Sequence, residues 1–327
     1  DPTAPLLGGC VIQPFAQCAG ADLSNADLRG FDLTGSDLRG AKLSGARLFL
    51  TKLSRADLST VDFTNGHLVT AKLTRAKLTG ATFYSADLSG TDLSGTDLTG
   101  AGFQFSNLFL ADLSGADLTD ARLVNGAAIR ADLTGALLTR AHLSELDLSG
   151  AALGHASLTG AQFNNVDLTR ADLSGALLNR TSLSGVTMPG ADLSNARIRT
   201  SGIRADLSDA DLSGALIHGS YLADSTLRGA NLNDSDLTGS DLSGADLTRA
   251  HLARAVMAGT RLVGSRLLAA DLRNADLTSA FAANADLRGT NLTGTDLFTA
   301  DLAGAVLSGA LFCRTRMPDG SIRSDGC

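Results

Sequence analysis

From Ala21 onward, apolar residues recur with a period of five. The third residue of each pentapeptide is Leu in 47 of 58 units. The exceptions are Phe63, Phe83, Phe103, Phe163, Phe312, Ile198, Ile217, Met188, Met257, Ala128 and Ala282. The first residue is Ala, Ser, Thr or Gly in 53 units, with Phe31, Val61, Leu146, Val166 and Val186 as the exceptions. A small and a large apolar residue two apart share one side of an extended segment, so the residue between them points the other way. That middle residue is Asp in 26 units. The fourth and fifth residues, mostly Ser, Thr or Arg and then Gly, Asn or Arg, carry turn chemistry. A period of five fits neither a 3.6-residue helix nor simple alternation. It predicts a chain that runs straight for three residues, turns a corner and repeats. Thirty-six units run in phase from Ala21 to Thr200, residues 201–204 are one residue short, and 22 more units follow from Ala205 to Arg314.

The tandem motif A-D-L-[ST]-G, as in ADLSG at 86–90 and ADLTG at 131–135, resembles the pentapeptide-repeat family over residues 21–314. The resemblance implies an all-β fold, a right-handed quadrilateral β-helix with four pentapeptides per coil and about 14–15 coils. At a strand spacing of about 4.8 Å the expected rod is roughly 70 Å long. Leu23, Leu28, Leu33 and their equivalents then stack down the axis, and Ala21, Ala26 and theirs fill the corners. A solenoid leaves open edges at its ends. Residues 1–20 and 315–327, which depart from the repeat, are therefore expected to be caps, with a bulge or bend at the one-residue deletion near 201–206. Met317 and Ile322 keep the Leu phase, so the coil is expected to continue briefly past Arg314. Ala128 and Ala282 would leave voids, for which Ile129 and Phe281 are the candidate fillers.

Composition narrows the function. The chain has 327 residues, a net charge of −7 and only one glutamate, Glu145, among 34 acidic residues. That balance argues against a general nucleic-acid-binding surface, which is basic. No apolar run is long enough for a transmembrane helix, and regular apolar spacing excludes disorder. The five histidines (67, 142, 155, 218, 251) fall on different coils, no glycine-rich phosphate loop opens a helix, and a Leu-filled interior offers no pocket. The sequence reads as non-enzymatic, with no cofactor and no metal. The chain opens on Asp1 rather than Met, as a processed or excised chain would. Its four cysteines, Cys10, Cys18, Cys313 and Cys327, sit only near the ends. They read as two terminal disulfides, Cys10 with Cys18 and Cys313 with Cys327, and hence as an extracytoplasmic protein, secreted or in the cell envelope. Four free thiols in a reducing compartment are the alternative. A zinc site lacks C-x2-C spacing.

Two surfaces are candidates for binding. With residues twenty apart stacked, Asp92, Asp112, Asp132, Asp172, Asp192 and, beyond the short unit, Asp211 form an acidic column. It either solubilises the sheet through local bonds to backbone or binds cations, though no coil gathers the six or more oxygen ligands that calcium takes. Tyr84, Phe105, Val124, Phe109, Leu110 and Ile129 would form an apolar cluster, a candidate surface for a protein partner or for self-association. A ladder of Thr79, Thr99, Thr119, Thr139 and Thr159 suggests ice binding, but Thr is the ordinary occupant there. The sequence thus points to an exported, non-enzymatic, rod-like binding or scaffold protein. The family resemblance also implies an alternative, an acidic DNA mimic that binds a type II topoisomerase. Duplex DNA carries one charge per about 1.7 Å, or about 40 over such a rod, far above the net charge here.

Overall fold

Each pentapeptide supplies one side of a coil, and the reason is visible in its hydrogen bonds. Around Leu43, the Lys42 N–H donates to Ala21 O on the coil before, at 2.9 Å. The Leu43 N–H donates to Asp62 O on the coil after, at 2.8 Å. The Ala46 N–H then closes back on Leu43 O at 3.0 Å, with Gly45 at φ +68°. A three-residue closure with a left-handed third residue is type II turn geometry, which explains the Gly, Asn and Arg of the fifth position. Repeating this step gives parallel bridges between residues twenty apart: Asp22 with Lys42, Lys42 with Asp62, Asp62 with Thr82. Four such sides make a coil, and the architecture is a quadrilateral β-solenoid without helices among the described residues.

The computed structural model describes residues 4–200 and 204–327. It packs as two compact units, Asp1–Gln162 and Phe163–Cys327, each built by the same rule. In the first unit, the segment Leu6–Leu7 pairs antiparallel with Cys10–Val11, and parallel bridging begins at Gln17 with Asp37. Longer three-residue pairing appears between Arg122–Val124 and His142–Ser144. In the second unit, Leu177–Asn179 pairs in parallel with Arg197–Arg199. Bridges there join residues nineteen apart at Thr187 with Asp206, Asp192 with Asp211 and Arg197 with Leu216, then return to twenty at Asp206 with Thr226. The missing residue is thus absorbed within one coil. The expected bulge or bend falls largely on residues 201–203, outside the described residues.

The third-position leucines fill the interior of both units, and the alanines pack beside them in the corners. Phe63, Phe83 and Phe103 form a buried stack with ring centroids 5.0 and 4.7 Å apart. First-position Ser and Thr are tolerated where the hydroxyl finds a carbonyl: Thr51 Oγ1 donates to Leu28 O and Thr91 Oγ1 to Leu68 O, both at 2.7 Å. Two sequence expectations fail. Phe281 does not fill space beside the buried Ala282: it occupies the outward second position, is 47% exposed and lies under the Arg261 guanidinium. The coil does continue briefly past Arg314, with Arg316 bridging Asp296 in parallel, but Ile322 does not continue it. After Pro318 the chain turns, Met317 N–H donating to Ser321 O at 2.7 Å, and Ile322–Arg323 pairs antiparallel with Thr315–Arg316, leaving Ile322 exposed. The Leu phase stops where the backbone reverses.

At the two termini the cysteines come together in sequence order. Cys10 and Cys18 have their sulfurs at bonding distance with Cα atoms 5.2 Å apart, and Cys313 and Cys327 likewise with Cα atoms 4.8 Å apart. Both separations suit a disulfide. Each pair sets an end segment beside the adjoining coil.

Candidate functional site

The outward aspartates explain themselves first. All 26 second-position aspartates accept a hydrogen bond from the backbone N–H two residues ahead. This Asx bond caps the corner that follows, so Asp belongs there for a local structural reason. Asn107, Asn231 and Asn291 make the same bond.

The predicted acidic column is placed as follows. In the first unit Asp92, Asp112 and Asp132 are consecutive bridge partners, followed by Ala152; in the second, Asp172, Asp192 and Asp211 are, followed by Asn231. Each accepts its corner bond at Oδ1, and Asp92 also accepts from Ser94 Oγ at 2.6 Å and, at Oδ2, from Thr74 Oγ1 at 2.7 Å. Burial raises the Asp92 carboxyl, but these hydroxyl and backbone bonds win and hold it below its ordinary value. Cations interrupt the acidic faces, as with Lys52 Nζ 3.5 Å from Asp32 and Arg140 2.6 Å from Asp120. The Arg29 guanidinium lowers the exposed Asp27 to about 2. Among the described residues, no three His, Cys, Asp or Glu side chains are grouped to hold a metal.

The apolar residues are not explained this way. Tyr84, Phe105 and Val124 lie at one corner of the first unit; Phe109, Leu110 and Ile129 lie at the next. Between the two corners runs a polar side whose outward residues are Asp87, Asn107 and Ala127. The sequence-predicted cluster is therefore two adjoining patches. Tyr84 and Phe105 meet edge to face, with centroids 5.4 Å apart. The Phe105 N–H donates to Val124 O and the Leu110 N–H to Ile129 O, which stacks the corners. Val124 and Ile129 are half-buried, whereas Tyr84, Phe109, Phe105 and Leu110 are exposed, the last two at 52% each.

The second of these corners extends further along the unit. Phe49 and Leu50 occupy the same corner positions three coils earlier and are exposed, and Val69 lies between at half burial. Phe49 and Leu50, with Phe31, line an open depression bordered by the Asp27–Arg29 pair. Phe31, marked in the sequence as an aromatic exception at a first position mostly held by small residues, is a contributor outside both candidate surfaces read from the sequence. Leu50, Phe105 and Leu110 are also held at φ +57°, +60° and +55°. An L-residue with a Cβ pays for this conformation, which glycine adopts freely. Within the repeats, the other described side chains larger than alanine in that conformation are polar. These three incur both the backbone cost and the cost of apolar exposure.

The second unit carries a different outward motif, arginine over an aromatic ring. Arg316 lies 3.9 Å from the Phe298 centroid and Arg261 5.9 Å from that of Phe281, both rings exposed; at the C-terminal end Arg323 lies 3.6 Å from the buried Phe312 ring. These contacts place a cation over those rings; Tyr221, Val256, Leu268, Val306 and Leu311 of the second unit are also exposed.

Comparison with known proteins accords with this geometry. The family described as Pentapeptide repeats (8 copies) matches overlapping segments that together span residues 16–199 and 205–317. Among solved structures, the chain is similar to HetL, a pentapeptide repeat protein involved in heterocyst differentiation regulation from the cyanobacterium Nostoc sp. strain PCC 7120. Identity is 32%, covering 81% of this chain and 92% of HetL, with a TM-score of 0.20. It is similar to QnrB1, a plasmid-mediated fluoroquinolone resistance protein, at 22% identity, covering 59% of this chain and 91% of that one, with a TM-score of 0.34. A pentapeptide repeat protein from the Arabidopsis thaliana thylakoid lumen is 33% identical, covering 36% of this chain and 71% of that one, with a TM-score of 0.11. No curated protein matches the chain.

Proposed function

This chain belongs to the pentapeptide-repeat family, and from that premise we propose that it is a non-enzymatic scaffold that binds another protein surface through the apolar corner of its first unit. The observation that carries the reading is the set Leu50, Phe105 and Leu110, exposed and in left-handed backbone conformation, with Phe49 and Phe109 beside them. A fold that fills this position with Gly, Asn or Arg elsewhere gains nothing in its own stability from a leucine there. Burial against a partner would return roughly 1.5–3 kcal/mol per large apolar side chain. The solenoid supplies a rigid frame, since each coil is bonded to the next on every side.

Export belongs to the same proposal. Paired terminal cysteines and a thiol-free body suit an oxidising compartment, where two staples would hold the end segments. Alkylation of protein from its native host, before and after reduction, tests this: four protected cysteines are expected, and four freely alkylated thiols would remove the export argument. The DNA-mimic alternative draws no support from the aspartates, which are engaged by their own backbone and interleaved with Lys and Arg.

The binding surface is tested by sedimentation velocity over a hundredfold concentration range, and by capture from host extract, with wild type and a Phe109→Ser/Leu110→Ser variant. Association or capture that the double variant loses is the expected result. Association unchanged in the variant, or none in wild type by either assay, would dismiss the corner as an interface.

A further inference from the structure

Seven arginines of the second unit, among them Arg228, Arg254 and Arg273, lie within salt-bridge distance of a carboxylate. Arg180, Arg197 and Arg199 have no such partner among the described residues, and they converge on one corner. The strands Leu177–Asn179 and Arg197–Arg199 pair in register, Leu177 beside Arg197 and Asn179 beside Arg199. The Arg180 N–H donates to Arg199 O at 2.7 Å, so the two residues sit on successive coils at the same turn. Arg180, Arg199, Thr200 and Gly219 line a depression, and a second one, lined in part by Arg197, Arg199 and His218, adjoins it. At Gly219 the space is open: a Cβ built there would meet no atom within 4 Å.

Thr200 is the independent observation. Its side chain is only 5% exposed, yet Oγ1 has no hydrogen-bond partner. Its backbone is satisfied, with Tyr221 N–H donating to Thr200 O at 3.3 Å and Ser220 Oγ accepting from Thr200 N at 3.4 Å. Buried hydroxyls nearby behave differently: Thr181 donates to Leu178 O, Ser220 to Ile198 O and Ser240 to Ile217 O. A buried donor left unpaired beside two unneutralised guanidinium groups is an unfavourable arrangement for an empty surface. It becomes favourable when an oxyanion occupies the depression.

The geometry points to a phosphate group as the ligand, held by the guanidinium groups of Arg180 and Arg199 and by the Thr200 hydroxyl. Guanidinium presents a planar fork of N–H donors that matches two phosphate oxygens, and two forks on adjacent coils can share a tetrahedral anion. A third oxygen then accepts from Thr200, which a planar carboxylate gripped by both forks would not offer. Arg197 adds positive charge at the margin. This site lies on the second unit and is separate from the apolar corner of the first.

The test is titration calorimetry with inorganic phosphate and, separately, with phenyl phosphate, at constant ionic strength maintained with sodium chloride. Saturable 1:1 binding is expected, weakened at least tenfold in Arg180→Gln/Arg199→Gln, severalfold in Thr200→Val, and unchanged in Arg249→Gln, an arginine elsewhere on this unit. Tighter binding of phenyl phosphate would identify an esterified phosphate on a larger molecule as the natural ligand; tighter binding of inorganic phosphate would identify the free ion. Melting midpoints without phosphate should match wild type in the arginine variants, because those side chains are exposed. Absence of saturable binding, or equal loss in Arg249→Gln, would overturn the site.

Discussion

Truncating Leu113 to alanine isolates what the stacked leucine interior contributes. Leu113 is fully buried in the first unit. Its N–H donates to Asp132 O at 2.7 Å and its carbonyl accepts from Ala116 N–H at 3.0 Å. Alanine keeps both bonds, so the loss is confined to the side chain. Removing the buried atoms forfeits their transfer free energy and leaves a void that coils locked above and below cannot close, together about 2–5 kcal/mol. Leu302 holds the equivalent phase in the second unit but is half-buried. Its truncation should therefore cost about 1 kcal/mol, near half of what full leucine burial provides. Urea unfolding gives the two losses, and amide exchange locates them: Leu113→Ala should raise exchange in the coils flanking 113, Leu302→Ala only near the C-terminal segment. Equal losses at the two sites, or none at Leu113, would refute the assignment of the third position to a close-packed interior.

Three further outcomes follow from the same geometry. Asp112→Ala should cost about 0.5–1.5 kcal/mol by leaving the Ser114 N–H without its acceptor, whereas Asp112→Asn should be near neutral, both read by urea midpoints. Stability should fall as pH drops from about 4 toward about 2. Asp27, Asp37, Asp120, Asp271 and Asp286 are held below the ordinary carboxylate value mainly by arginine hydrogen bonds, so their contribution is complete above the unfolded value and vanishes on protonation. A flat melting midpoint across that interval would contradict these bonds. Reducing the oxidised protein should lower its stability by up to about 2–4 kcal/mol per bridge; exchange should rise first near Cys10–Cys18 and Cys313–Cys327, and uniform change along the chain would count against an end-stapling role.

Period five, with Leu and Ala two apart, determined the solenoid, its inward and outward positions and the twenty-residue column registry. The reason is that every unit solves the same local problem: three extended residues, then a type II corner. That same logic made Asp92, Asp112 and Asp132 look like a functional column, because a sequence shows where a carboxylate points but not which N–H it accepts from. Of the two readings the sequence left open, the tertiary structure favoured the local one, since each aspartate accepts the N–H of its own corner. It also divided Tyr84 and Phe105 from Phe109 and Leu110, since a side of the coil stands between consecutive turns. It brought Phe31 beside Phe49 and Leu50, turned Phe281 outward beneath Arg261, and reversed the chain before Ile322. Most of all, it left Thr200 buried without a partner beside Arg180 and Arg199. A missing bond between coils has no signature in a repeat, because it depends on what the neighbouring turn fails to provide.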